Sequence, residues 1–229
     1  MKKTSRYWAY VMALVVVLLA APIVSQADTI YTDLGAGDTY NCCTGWTVST
    51  ASSAAGNVNV SADAFTPSSN YDLTQILIAI QNLSGTNQAY VTLNADSGSD
   101  TPGAVIEAWS LSSLPNFGST NNTVQTLTSV GPTVVLDSGI QYWIVVYPDN
   151  SGLSSNTWDA WNYNSTGATG PFSQSHDGVT FPSGGPNNLG AFEVDGTSPT
   201  PEPGTFGLLG LGLAALPYFR SRFAARRRG

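Results

Sequence analysis

Few side chains in this sequence have the type and spacing that chemistry needs. Cys42 and Cys43 are adjacent, and they are the only cysteines. Neighbouring cysteines can close an eight-membered ring as a vicinal disulfide, stay as two free thiols, or link to other chains, and the sequence leaves all three open. An oxidising compartment favours the bond, which would stiffen a turn and stabilise little else. With no His and no further Cys nearby, a structural zinc site is not supported.

Asp96 to Glu107 has the outline of a calcium loop, with Asp96, Asp100 and Glu107 at the first, fifth and twelfth positions. Thr101 stands where the sharp turn needs glycine, Gly98 offers no ligand atom at the third, and Pro102 fits badly. The stretch therefore reads as a solvated turn between strands, and no metal is expected there. Trp158, Trp161 and Tyr163 lie among Asn156, Asp159, Asn162 and Asn164. On a strand, Trp161 and Tyr163 would share a face and Trp158 would oppose them. Trp161 and Tyr163 are thus the candidate glycan contacts, since aromatic rings stack on sugar faces; the competing reading makes Trp158 core and leaves the other two partly covered.

Enzyme signatures are missing. There is no G-x-S-x-G elbow, no H-E-x-x-H and no phosphate-cradling glycine loop. The single histidine, His176, lies in a turn-like stretch and reads as surface loop, although a Ser/His/Asp triad would have to use it. Glycosidases need only two carboxylates, and Glu107 and Glu193 are candidates that nothing in the sequence brings together. The expectation is a non-catalytic protein with no cofactor.

The elements that must position these residues are strands. Between 28 and 196, Gly, Ser, Thr, Asn and Asp abound, helix formers are scarce, and short β-branched and aromatic runs recur between turn clusters. Alternation predicts strands over 57–65, 73–83, 90–93, 105–111, 123–127, 133–136, 140–147, 157–163 and 191–194. In 73–83, Ile76, Ile78 and Ile80 share one face and Leu77 takes the other. The apolar run 140–147 is the best candidate for a central strand. The fold class expected is all-β, a two-sheet β-sandwich of the jelly-roll kind, with an N-terminal signal helix and a C-terminal transmembrane helix.

Phe65-Thr66-Pro67, Tyr71 to Ile76, Asp96 with Thr101-Pro102-Gly103, Ser138 to Trp143, and Trp158 together resemble the exported bacterial domains called choice-of-anchor, particularly the R type. The resemblance implies a β-sandwich carried ahead of varied surface anchors, and it supplies no catalytic activity.

Charge is segregated along the chain. All 8 basic residues lie at the ends, in Lys2, Lys3 and Arg6 and in Arg220, Arg222, Arg226, Arg227 and Arg228, while the 15 acidic residues fall between Asp28 and Glu202. A body without Lys or Arg cannot neutralise phosphates, so nucleic-acid binding is excluded.

Residues 1–27 read as a secretory signal peptide: a positive start, the apolar run Val11 to Ala21, Pro22, and Ser25-Gln26-Ala27 with cleavage between Ala27 and Asp28. An uncleaved anchor is the alternative, though the apolar run is short for a span. At the other end, a Pro-rich linker (197–204) precedes an apolar segment (205–219) and a basic tail (220–229). As a helix the segment spans about 22 Å against a hydrocarbon core of ~30 Å, a marginal transmembrane helix. The five arginines orient it with the domain outside.

Pro201-Glu202-Pro203, the Gly/Leu-rich segment and the arginine cluster resemble the PEP-CTERM sorting signal of Gram-negative bacteria. The resemblance implies recognition and processing at the Pro-Glu-Pro motif by exosortase, a membrane-embedded enzyme. Two prolines would hold the chain extended and present Glu202 as one exposed acid.

The expected function is an exported cell-surface or extracellular-matrix protein with a structural or interaction role in the envelope or exopolysaccharide. Its partners would be signal peptidase, exosortase, the inner membrane in transit, and exopolysaccharide. A lectin-like or glycoside-hydrolysing β-sandwich is the alternative.

Overall fold

The computed structural model describes residues 27–119, 123–131 and 133–199. The signal peptide apart from Ala27, the Pro201-Glu202-Pro203 motif, the apolar segment and the arginine cluster lie outside the described residues.

The alternating runs fold as strands, and the regular structure among the described residues is all-β. In chain order the strands are β1 (Asp28–Thr32), β2 (Tyr40–Ser49), β3 (Val60–Phe65), β4 (Tyr71–Ile78), β5 (Ile80–Ser84), β6 (Gln88–Asp96) and β7 (Pro102–Ser112). There follow β8 (Gln125–Thr128), β9 (Val135–Leu136), β10 (Tyr142–Tyr147), β11 (Trp158–Asn164), β12 (Thr169–Ser175), β13 (Pro186–Asn188) and β14 (Phe192–Thr197). Pairing is antiparallel throughout these strands, in three sheets: β1-β14-β4-β8 with β9 also on β4, then β13-β12-β3-β10-β6-β7, then β2-β11-β5.

All three sheets contribute to one core, which gives the fold its sandwich-like character. Ile76 and Ile78 of β4 and Phe192 of β14 meet Ile144 and Val146 of β10, Leu93 of β6, and Ile80 and Trp161 of the third sheet. Burying such side chains is the main favourable term in folding, at about 1.5–3 kcal/mol for each large apolar group. β10 is central, as its apolar run predicts, lying between β3 and β6. Its alternate residues Trp143 and Val145 face the opposite side and pack with Val60, Ala62 and Ala64, under Leu153 and Phe181 from loops. β3 is consequently buried along its whole length.

The run 73–83, expected as one strand, is two. β4 and β5 part at Ala79 and enter different sheets. A closed set of three backbone hydrogen bonds marks the junction: Ala79 N–H to the Ala191 carbonyl at 3.1 Å, Ala191 N–H to Asn162 at 2.7 Å, and Asn162 N–H to Ala79 at 2.9 Å. Ala79 and Ala191 are fully buried, and their small side chains let three strands converge. Ile76, Ile78 and Ile80 keep one face across the break, as the alternation predicts.

The stretch with the calcium-loop outline is a hairpin: its first part turns between β6 and β7, and Pro102 to Glu107 already belong to β7, paired back on β6. Asp96 uses one carboxylate oxygen to accept from Gly98 N–H at 2.7 Å, the side-chain-to-backbone turn its residue type favours. The other accepts from the Trp143 indole at 2.9 Å and from Gln141 at 3.3 Å, while Asp100 also holds Gln141, at 2.8 Å.

Candidate functional site

β2 and β11 pair residue for residue from Ser49–Trp158 to Gly45–Asn162, and then slip. The next pair is Asn41–Tyr163, so Cys42, Cys43 and Thr44 bulge out of β2. A bulge of this kind re-aims side chains locally. Trp161 is driven into the core with no exposed surface, its indole N–H bonded to the Ala191 carbonyl at 3.1 Å. As a glycan contact Trp161 is therefore corrected to a core residue: alternation gives its face of β11 but not what covers that face, and there Phe192 packs against the Trp161 ring at 5.9 Å between ring centres.

Tyr163 instead lines an open cleft of about 520 Å³ together with Trp158, Trp46, Asn57, Asn59 and Gln174. Trp46 is fixed in place, stacked on Phe172 at 3.7 Å between ring centres, edge-on to Tyr163 at 5.2 Å, and bonded through its indole N–H to the Asn188 carbonyl at 2.8 Å. Gln174 donates to the Thr47 carbonyl at 3.3 Å and the Ser61 hydroxyl at 3.2 Å. Asn59 donates to the Ser49 hydroxyl at 2.8 Å. The Trp158 indole N–H, the Tyr163 hydroxyl and the Asn57 amide make no hydrogen bond to a described residue. The signal that could have found Trp46 was its place in an alternating stretch, but the two preceding cysteines and Thr44 disguise the strand.

The ionisable groups with the most perturbed environments are sealed. Asp63 is fully buried; one of its carboxylate oxygens accepts from Gly190 N–H at 2.7 Å and the other has no partner. Asp33 likewise accepts from Phe192 N–H at 2.7 Å and leaves one oxygen unpartnered. Asp159 accepts from the Asn82 amide at 2.8 Å with one oxygen free. Loss of hydration pushes the Asp33 carboxyl up to about 7 and that of Asp159 up to about 8. Burial, reinforced by the nearby Asp33 charge, holds Asp63 well above the usual range. These acids have lost contact with solvent, and each holds a donor from another segment of the chain. β3 reads Val-Ser-Ala-Asp-Ala-Phe, and the alternation that places Asp63 opposite Ala62 and Ala64 gives no warning that both faces are covered.

The remaining sequence candidates fall apart from one another. Glu107 on β7 accepts from the Ser129 hydroxyl at 2.8 Å and Val130 N–H at 2.9 Å. Glu193 on β14 belongs to another sheet, its carboxyl raised mainly by burial. His176 is exposed just after β12, with Nδ1 3.2 Å from the Val58 carbonyl, a surface loop as its surroundings predict. Among the described residues no three or more His, Cys, Asp or Glu side chains gather as a metal site.

Cys42 and Cys43 are free thiols with Sγ atoms 2.7 Å apart, and Cys43 takes a left-handed backbone conformation (φ 75°) at the crest of the bulge. The bond to Cys43, together with partial burial, pushes the Cys42 thiol up, opposite to what an activated nucleophile needs. Asp28, on the predicted cleavage boundary, begins β1, where it pairs with Gly196.

No family model matches the chain, and no curated protein matches it.

Proposed function

We propose that this chain is an exported, non-catalytic envelope or matrix protein, whose domain is a β-sandwich of the jelly-roll kind sorted by its C-terminal tail. The observation that carries the reading is the order Pro201-Glu202-Pro203, apolar segment, arginine cluster, which resembles the PEP-CTERM signal. The domain's chemistry supports it: the strongly perturbed carboxyls of Asp33, Asp63 and Asp159 are internal braces, and Glu107 and Glu193 stand on different sheets. A body free of Lys and Arg stays soluble among anionic polymers and is repelled by nucleic acid and anionic lipid.

Mass spectrometry of the mature protein tests the sorting. In a host with exosortase the chain should start at Asp28 and end near Pro201 to Gly204; in a host without it the tail should persist. An intact Arg228-Gly229 end in the exosortase host would leave a plain membrane anchor. Polysaccharide hydrolysis abolished by Glu107→Gln or Glu193→Gln would overturn the non-catalytic role.

A further inference from the structure

We propose that the cleft between Trp158 and Tyr163 is a binding site for a neutral polysaccharide. The inference goes beyond the envelope role and does not depend on how the tail is processed.

The cleft has the size of a ligand site, about 520 Å³ against a typical range of roughly 300–1,000 Å³, and it is open to solvent as a polymer site must be. Its lining combines two kinds of group. Trp46, Trp158 and Tyr163 supply apolar ring surface, and the latter two keep polar hydrogens that no described residue accepts. Asn57, Asn59 and Gln174 supply amides. A pyranose is the complementary object, with C–H faces that stack on rings and a rim of hydroxyls that both donate and accept.

Pre-organisation favours binding, because groups already fixed lose little freedom on contact. Trp46 is held by Phe172 and the Asn188 carbonyl, and the amide nitrogens of Gln174 and Asn59 are engaged behind the cleft. The amide oxygen of Gln174 is thereby presented in a fixed orientation.

Charge selects among polymers. No Lys, Arg, His, Asp or Glu lines the cleft, and no Lys or Arg occurs anywhere between Arg6 and Arg220. A uronate or phosphate polymer would meet an acidic body with nothing to pair it, whereas a neutral glycan meets no opposing field. A peptide adding to the edge strand β2 is disfavoured here, because the Thr47 carbonyl it would need already accepts from Ser61 and Gln174.

Affinity electrophoresis of the full chain in neutral detergent tests this, in gels carrying hydroxyethylcellulose, laminarin, dextran or galactomannan, with polygalacturonate as the anionic comparison. At least one neutral polymer should retard the wild type. Trp158→Ala should weaken that retardation about tenfold, and Asn57→Ala should weaken it several-fold. Asn57 is exposed and its side chain has no internal bond, so its variant decides the matter if Trp158→Ala fails to fold. No retardation by any neutral polymer, retardation undiminished in the folded variants, or equal retardation by polygalacturonate would each overturn the proposal. Tail processing is read separately, so this result and the sorting result can fail independently.

Discussion

Asp33 and Asp63 grip the two ends of one tripeptide: Asp63 accepts the N–H of Gly190 and Asp33 that of Phe192, each at 2.7 Å. Between them, Ala191 enters the ring of backbone bonds that joins β14 to Ala79 and Asn162. Two buried acids thus fix the segment at which the first and third sheets converge. Burial raises both carboxyls above the usual range, which makes the junction sensitive to pH.

Stability should fall as pH rises from about 4 to about 8. Asp33 and Asp159 keep their protons in the fold up to about 7 and about 8, but release them near 3.8 when unfolded. The folded state therefore binds more protons across that window, and each unit of pH lowers the unfolding free energy. Asp149 works oppositely. Burial raises its carboxyl, but bonds from Ser155, Ser151 and Leu153 outweigh burial and hold it low, so its contribution is lost below pH 3.8. Thermal melts should show a maximum Tm near pH 4–5, and Asp33→Asn, which retains an acceptor for Phe192 N–H, should flatten the decline above it. A Tm that climbs between pH 5 and 8 would contradict the buried-acid assignment.

Trp161 and Trp158 should behave as opposites. Trp161→Ala empties a fully buried site and should cost about 3–5 kcal/mol in chemical denaturation. Trp158→Ala, at a half-buried position, should cost much less. Gly190→Ala should resemble the first, because a Cβ there would lie 2.5 Å from the Trp161 ring.

Asp96→Ala should cost about 1–3 kcal/mol by leaving the Trp143 indole N–H buried without an acceptor. Asp96→Asn keeps an acceptor oxygen and should recover most of that loss. Equal melting of the two variants would show that the hydrogen bond contributes little.

Cys42 and Cys43 should oxidise within the chain. Treatment with diamide, which is reduced as the two thiols lose their hydrogens, should lower the mass by about 2 Da and block alkylation at both positions. The band on non-reducing electrophoresis should stay monomeric. Stability should change by less than about 1 kcal/mol, since so small a ring constrains the unfolded chain little. A disulfide-linked dimer as the main product would favour the interchain alternative.

Much of the fold was legible because alternation reports a strand whenever one face is dry and the other wet. The segments around Ile76, Leu93, Trp109 and Val145 all fold as strands where that pattern predicts them. β12 and β13 escaped because Gly170, Pro171 and Pro186 break the pattern, and β2 because its bulge inserts three residues. For the candidate site, Trp158 and Tyr163 stood out as aromatic residues among amides. Trp46, Asn57, Asn59 and Gln174 come from distant parts of the chain, and no local pattern unites them.

By itself the sequence determined the class of the body, all-β, and a charge distribution that puts every Lys and Arg at the two ends. Composition and period-two alternation suffice for that, because they reflect each residue's own preference for water or the interior. Only the tertiary structure decided which aromatic rings face solvent. Phe192 packs against Trp161 in the core, whereas Tyr163 meets Trp46 at the cleft, and both neighbours come from distant strands that no local pattern reports.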